Sequence, residues 1–123
     1  MDIDAIRNIC KALPSVTEGI KWRNDLCFMV GGKMFCVICL NTPCSVSFKV
    51  TDEEFDEIST SHGIIPAPYA ARYKWISVED VNRFSKKQWN DFITQSYNLV
   101  KAKLSRKKIA QLGNIQPLKR RKE

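Results

Sequence analysis

The chain has 123 residues, with 44% hydrophobic and 27% charged positions. That length fits one domain with a single core, the composition excludes a disordered or fibrous body, and no apolar run approaches the roughly 20 residues of a membrane span. The formal net charge of +7 is unevenly placed: residues 1–104 hold 13 Lys/Arg against 12 Asp/Glu, and residues 105–123 hold 7 against 1, so a nearly neutral body carries a basic tail that suits polyanions or solubility.

In chain order, residues 2–13 predict a first helix. Ile3, Ile6, Cys10 and Leu13 recur at helical spacing, Asp2 is placed to cap it, and Pro14 stops it. A loop follows over 15–19. Ile20 and Trp22 alternate with Lys21 and Arg23, which predicts a short edge strand. Residues 26–30 and 33–40 flank Gly31-Gly32, a strong two-residue hairpin signal. A plain two-residue turn sets Val30 opposite Lys33, Phe28 opposite Phe35, and Cys27 opposite Cys36. One face then carries Leu26, Phe28, Val30, Phe35 and Val37, the other Cys27, Met29, Met34, Cys36, Ile38 and Leu40. Both are largely apolar, so the hairpin is expected at the centre of the sheet, covered on both sides.

After a turn at 41–43, residues 45–50 alternate cleanly, with Val46, Phe48 and Val50 inward and Ser45, Ser47 and Lys49 outward. Thr51-Asp52-Glu53-Glu54 is a capping box opening a second helix anchored by Phe55 and Ile58. Residues 61–72 read as a long apolar loop stiffened by Pro66 and Pro68. Residues 73–78 read as a strand, with Tyr73 and Trp75 on one face and Lys74, Ile76 and Val78 on the other. Ser85-Lys86-Lys87-Gln88 is a second capping box, and the helix it opens buries Trp89, Phe92, Ile93, Ser96, Tyr97, Val100 and Leu104. Disorder is expected from about residue 109.

The cysteines Cys10, Cys27, Cys36, Cys39 and Cys44 are odd in number and mostly in apolar surroundings, and the start Met1-Asp2-Ile3-Asp4 lacks the pattern of a signal peptide. Free thiols in the cytoplasm are the expectation. Cys36-x-x-Cys39 is a poor zinc or redox pair, because residues three apart on a strand face opposite sides and sit roughly 10 Å apart. A Cys27–Cys36 cross-strand disulfide is geometrically open but not expected in a reducing cell.

Val30-Gly31-Gly32-Lys33-Met34-Phe35, then Ser47-Phe48-Lys49, then residues 66–75 (Pro-Ala-Pro-Tyr-Ala-Ala-Arg-Tyr-Lys-Trp), then Ser96-Tyr97 form an ordered set that resembles the MmcQ/YjbR family over about residues 3–108. The resemblance implies a small bacterial protein with a frataxin-like fold and a non-enzymatic, DNA-binding role. The segment after Lys108 lies outside it. Frataxin-type iron binding is not expected, since the first helix mixes Asp2 and Asp4 with Arg7 and Lys11 and hard cations favour clustered carboxylates.

No catalytic constellation stands out: His62 is the one histidine, in a loop, and Gly31-Gly32 lacks the helix and Lys-Ser/Thr of a phosphate loop. The best functional candidate is Arg72-Tyr73-Lys74-Trp75, where cations meet phosphate and rings stack on bases or wedge into a groove; the bland alternative is core aromatics with snorkelling cations. Arg23, Lys33 and Lys49 extend that patch if their strands adjoin it. Arg106, Lys107, Lys108, Lys119, Arg120, Arg121 and Lys122 supply sequence-independent contact, and about six neutralised phosphates give a log–log salt slope near −5.

The expectation is therefore an α+β domain over 1–108, an antiparallel sheet of about five strands packed against N- and C-terminal helices, with a basic tail over 109–123. It is a cytoplasmic monomer without cofactor or metal that contacts duplex DNA and has no enzymatic activity. RNA or a small molecule in place of DNA, and a protein partner docking on the apolar 64–71 loop, are the alternatives.

Overall fold

The helices begin where side chains can satisfy their free amides. The computed structural model of the chain describes residues 2–21, 24–41, 44–68 and 70–104. The first helix, α1 (Ile3–Lys11), is capped by Asp2, whose carboxylate accepts from the Ala5 amide. Thr51 with Glu54 opens α2 (Asp52–Ile58) and Ser85 with Gln88 opens α3 (Lys86–Lys101), both as complete capping boxes. A cap of this type contributes about 1 kcal/mol.

Six strands form one antiparallel sheet: β1 (Val16–Lys21), β2 (Asp25–Val30), β3 (Lys33–Cys39), β4 (Ser45–Lys49), β5 (Ile64–Pro66) and β6 (Trp75–Val78). Their spatial order is β1-β2-β3-β4-β6-β5. The sixth strand, β5, lies inside the stretch expected to be a loop, because Ile64 and Ile65 pair with Val78 and Ser77. The first strand also starts earlier than its alternation suggests, at Val16.

Both helices of the bundle lie on one sheet face, α3 against β3 and β4, α1 against α3 and β1. The core between them holds Ile6 and Cys10 from α1, Trp89, Ile93 and Tyr97 from α3, and Phe28, Val30, Phe35, Cys36, Ile38, Val46, Phe48, Ile76 and Val78 from the sheet. Phe48 packs edge-on to Trp89 and Phe35 edge-on to Tyr97. Each such side chain contributes about 1.5–3 kcal/mol by leaving water.

The Gly31-Gly32 hairpin forms as expected, with both glycines at positive φ. Its register does not hold beyond two pairs. Val30 faces Lys33 and Met29 faces Met34, but Phe28 faces Cys36, because a bulge inserts Phe35. An extra residue on one strand reverses which face the following side chains take. Cys36 and Ile38 therefore join Phe28 under the helices, while Val37 moves to the opposite face. Cys27 faces Val37, not Cys36, and all five cysteines are free thiols.

Ser96 satisfies the backbone at the bulge. Its buried hydroxyl donates to the Phe35 carbonyl at 2.6 Å and accepts from the Lys49 amide at 2.9 Å. The β3–β4 ladder runs from Cys39↔Ser45 to Cys36↔Phe48, so Phe35 and Lys49 are the next two residues in line. The hydroxyl from α3 bridges them and fixes the end of β4.

Candidate functional site

The sheet face away from α1 and α3 is not covered by a helix layer, against the expectation that the central hairpin is buried on both sides. A trough of about 1180 Å³ lies along it. Its floor comes from alternate residues of neighbouring strands: Val37, Ser47, Ser77 and Ile65 form one row across β3, β4, β6 and β5, and Lys49 sits beside Trp75. One wall is the segment Ala67, Pro68 and Ala70; Val100 in the last turn of α3 and Lys103 just past that helix close the lysine end.

The trough is polarised. Lys33, Lys49 and Lys103 line one end. At the other, Asp25 pairs with Cys39 and Cys39 with Ser45, while Glu79 follows Val78 at the end of β6. The four residue steps from Lys49 back to Ser45 span about 14 Å. No carboxylate among the described residues forms an ion pair with Lys33, Lys49 or Lys103. The Lys49 ammonium donates to the Tyr73 carbonyl. Burial pushes its pKa down and the nearby Lys103 charge pushes it further; Asp52 pulls it partly back, and Lys74 adds the smallest downward push.

The Arg72–Trp75 run is not a continuous strand. Residues 71–73 make a 3-10 turn, and Lys74 takes left-handed backbone at φ 65°, so β6 starts at Trp75. Tyr73 and Trp75 still reach the same trough. Tyr73 is 54% exposed and Trp75 half-buried, while Ile76 and Val78 face the core. The turn sends Lys74 over the Phe55 ring, 5.0 Å from its centroid, and holds Arg72 over Tyr73 at 4.9 Å.

The structure thus gathers Lys33, Lys49, Tyr73 and Trp75 around one trough, with Arg72 and Lys74 stacked on rings. Arg23, Arg106, Lys107, Lys108, Lys119, Arg120, Arg121 and Lys122 lie outside the described residues, as does the tail over 109–123. Lys103, Ser77 and the two carboxylates escape the sequence reading. The outward face of β4 does show the serines at 45 and 47, and Ser77 stands two residues from Trp75. Within the 64–71 segment, Ile64 is 3% exposed, while Ile65, at 39%, is presented to solvent.

No group of three or more His, Cys, Asp or Glu among the described residues is arranged to hold a metal ion. No helix among them is long and apolar enough to cross a membrane.

Two solved structures share this architecture. A Deinococcus radiodurans protein with a DUF419 domain is 24% identical, with a TM-score of 0.79 over 90% of this chain and 87% of that one. A Pseudomonas syringae protein is 17% identical, with a TM-score of 0.66 over 80% of this chain and 98% of that one. Similarity at this level establishes the fold. No curated protein matches the chain. The YjbR family profile matches residues 11–99, from the end of the first helix almost to the end of the last, and the chain belongs to the YjbR family.

Proposed function

We propose that the protein binds DNA without catalysis, through the open face of its sheet. The observation that carries this reading is the convergence of Lys33, Lys49 and Lys103 with Tyr73 and Trp75 on one trough. Lysines supply contacts to phosphate, and aromatic rings supply a surface for bases. Lys49 is especially suited to an anion: it is partly desolvated and crowded by like charge, a state that an arriving phosphate relieves. The basic segment 105–123 adds sequence-independent attraction. Five free thiols accord with the cytoplasm.

Fluorescence anisotropy of labelled DNA with the full chain across a salt series tests this. Replacing Lys33, Lys49 and Lys103 by Gln is expected to weaken binding and to reduce the log–log salt slope by about 2 on a single strand and nearly 3 on a duplex, for three lost phosphate contacts. An unchanged slope would place binding in the tail alone. Affinity is also expected to fall as pH rises through the lowered pKa of Lys49, because only the protonated amine attracts phosphate; a Lys49→Gln variant loses that pH dependence. Absence of binding at low salt contradicts the reading outright.

A further inference from the structure

We infer that the trough takes a single strand of DNA in place of a duplex, with its phosphates at the lysine end and its base edges turned toward Asp25 and Glu79. This rests on the DNA-binding reading and adds the form and orientation of the ligand.

Charge spacing decides first between the two forms. The lysine end and the carboxylate end are about 14 Å apart along β4. A duplex carries phosphate rows on both flanks of each groove, about 12 Å apart across the major groove. Laid on this face with one row against Lys33, Lys49 and Lys103, it brings the second row toward Asp25 and Glu79. A single strand has one row, which meets the lysines and leaves the carboxylates to other groups.

The floor between the two ends points the same way. Trp75 and Tyr73 stand beside the lysines, and Val37 and Ile65 continue the apolar surface. A duplex keeps its base faces stacked inside and offers them nothing. An unpaired base exposes a π-face, which stacks on an aromatic side chain whatever the sequence. The half-buried hydroxyls of Ser45 and Ser47 follow along the floor, with Ser77 buried beside them, each both donor and acceptor. They suit the Watson–Crick edges that only an unpaired strand presents.

The far end adds a preference among bases. Carboxylates accept hydrogen bonds and cannot donate them. The exocyclic amine of cytosine is a donor, and thymine has a carbonyl oxygen at the equivalent position. Asp25 and Glu79 therefore favour a cytosine strand over a thymine strand.

Anisotropy titrations of the full chain with labelled oligo-dC, oligo-dT of equal length and a hairpin duplex test the inference. A salt series separates the trough from the tail, whose contribution fades fastest as salt rises. Oligo-dC is expected to bind about tenfold tighter than the duplex, with oligo-dT between them. Tyr73→Ala and Ser47→Val, both shown folded by circular dichroism, are expected to reduce single-strand affinity several-fold and by more than they reduce duplex affinity. Duplex binding as tight as single-strand binding overturns the inference while leaving the DNA-binding reading intact. Equal affinity for oligo-dC and oligo-dT overturns the assigned orientation. Binding of none of the three overturns the reading beneath it.

Discussion

The two faces of the sheet are built from the same strands and do opposite things. On the helix face, Val46, Phe48, Ile76 and Val78 are fully buried against Trp89, Ile93 and their neighbours. One residue along, Ser45, Ser47, Lys49, Trp75 and Ser77 face the trough. The first set is what folding requires, since it removes apolar surface from water. The second set is not: serines and a partly desolvated lysine on a sheet face contribute little to stability. The difference separates residues that fill the core from residues left on the open face.

The sharpest break in that comparison is expected from the core. Trp89→Ala removes a fully buried ring and the indole N–H bond to the Val81 carbonyl. It should cost about 3–5 kcal/mol, read as a lower urea midpoint, and a loss below 1 kcal/mol would mean that the helix face is not the main source of stability.

Ser96→Ala comes next and couples the faces. It strips the Phe35 carbonyl and the Lys49 amide of their shared partner, at a cost of about 1–3 kcal/mol. Because Lys49 projects into the trough, DNA affinity should fall with stability. A variant that loses stability and keeps full affinity would show that the Ser96 bridge does not position the lysine.

Ser47→Val tests the opposite face alone. Ser47 is half-buried in the floor and its side chain makes none of the core contacts. Unfolding stability should change by no more than about 0.5 kcal/mol, while single-strand affinity drops. A large loss of stability would contradict the division between the faces.

The smallest effect lies at the sheet edge. Glu18 of β1 accepts from Arg7 at 3.0 and 2.7 Å, and that hydrogen bond holds its carboxyl below the ordinary 4.5. A folded pKa below the unfolded one stabilises the protein above the unfolded value, and that contribution is lost as pH falls through the folded value. The pair is solvent-accessible, so the effect is small and screened by salt. The stability difference between the unaltered chain and Glu18→Gln should vanish under acid conditions and reappear toward neutral pH. A constant difference would mean that the charge of Glu18 is not what matters there.

Much of the helix face was legible in the sequence. Capping boxes at Thr51 and Ser85, the stripe from Trp89 to Leu104, and the alternation of Val46 and Phe48 are local patterns, and local patterns suffice for them. The trough was legible only in parts. Phe35 is bulged and its carbonyl is held by Ser96, 61 residues away, and no local signal announces that. The bulge then moves Val37 to the open face and Cys36 and Ile38 to the core. Pairing of Ile64 and Ile65 with β6 turned an expected loop into an edge strand. Lys103 meets Lys49 only because α3 crosses β3 and β4. Side chains brought together across such distances belong to tertiary structure, and they make up most of the site.

We place DNA binding on the open face of the sheet. Titrating a single-stranded oligonucleotide into the isotope-labelled full chain and following amide chemical shifts by NMR tests it most directly. The account predicts shifts at Val37, Ser47, Lys49, Trp75 and Ser77, with the outer surfaces of α1 and α3 unmoved. Shifts confined to residues 105–123, or to the helices, would contradict it.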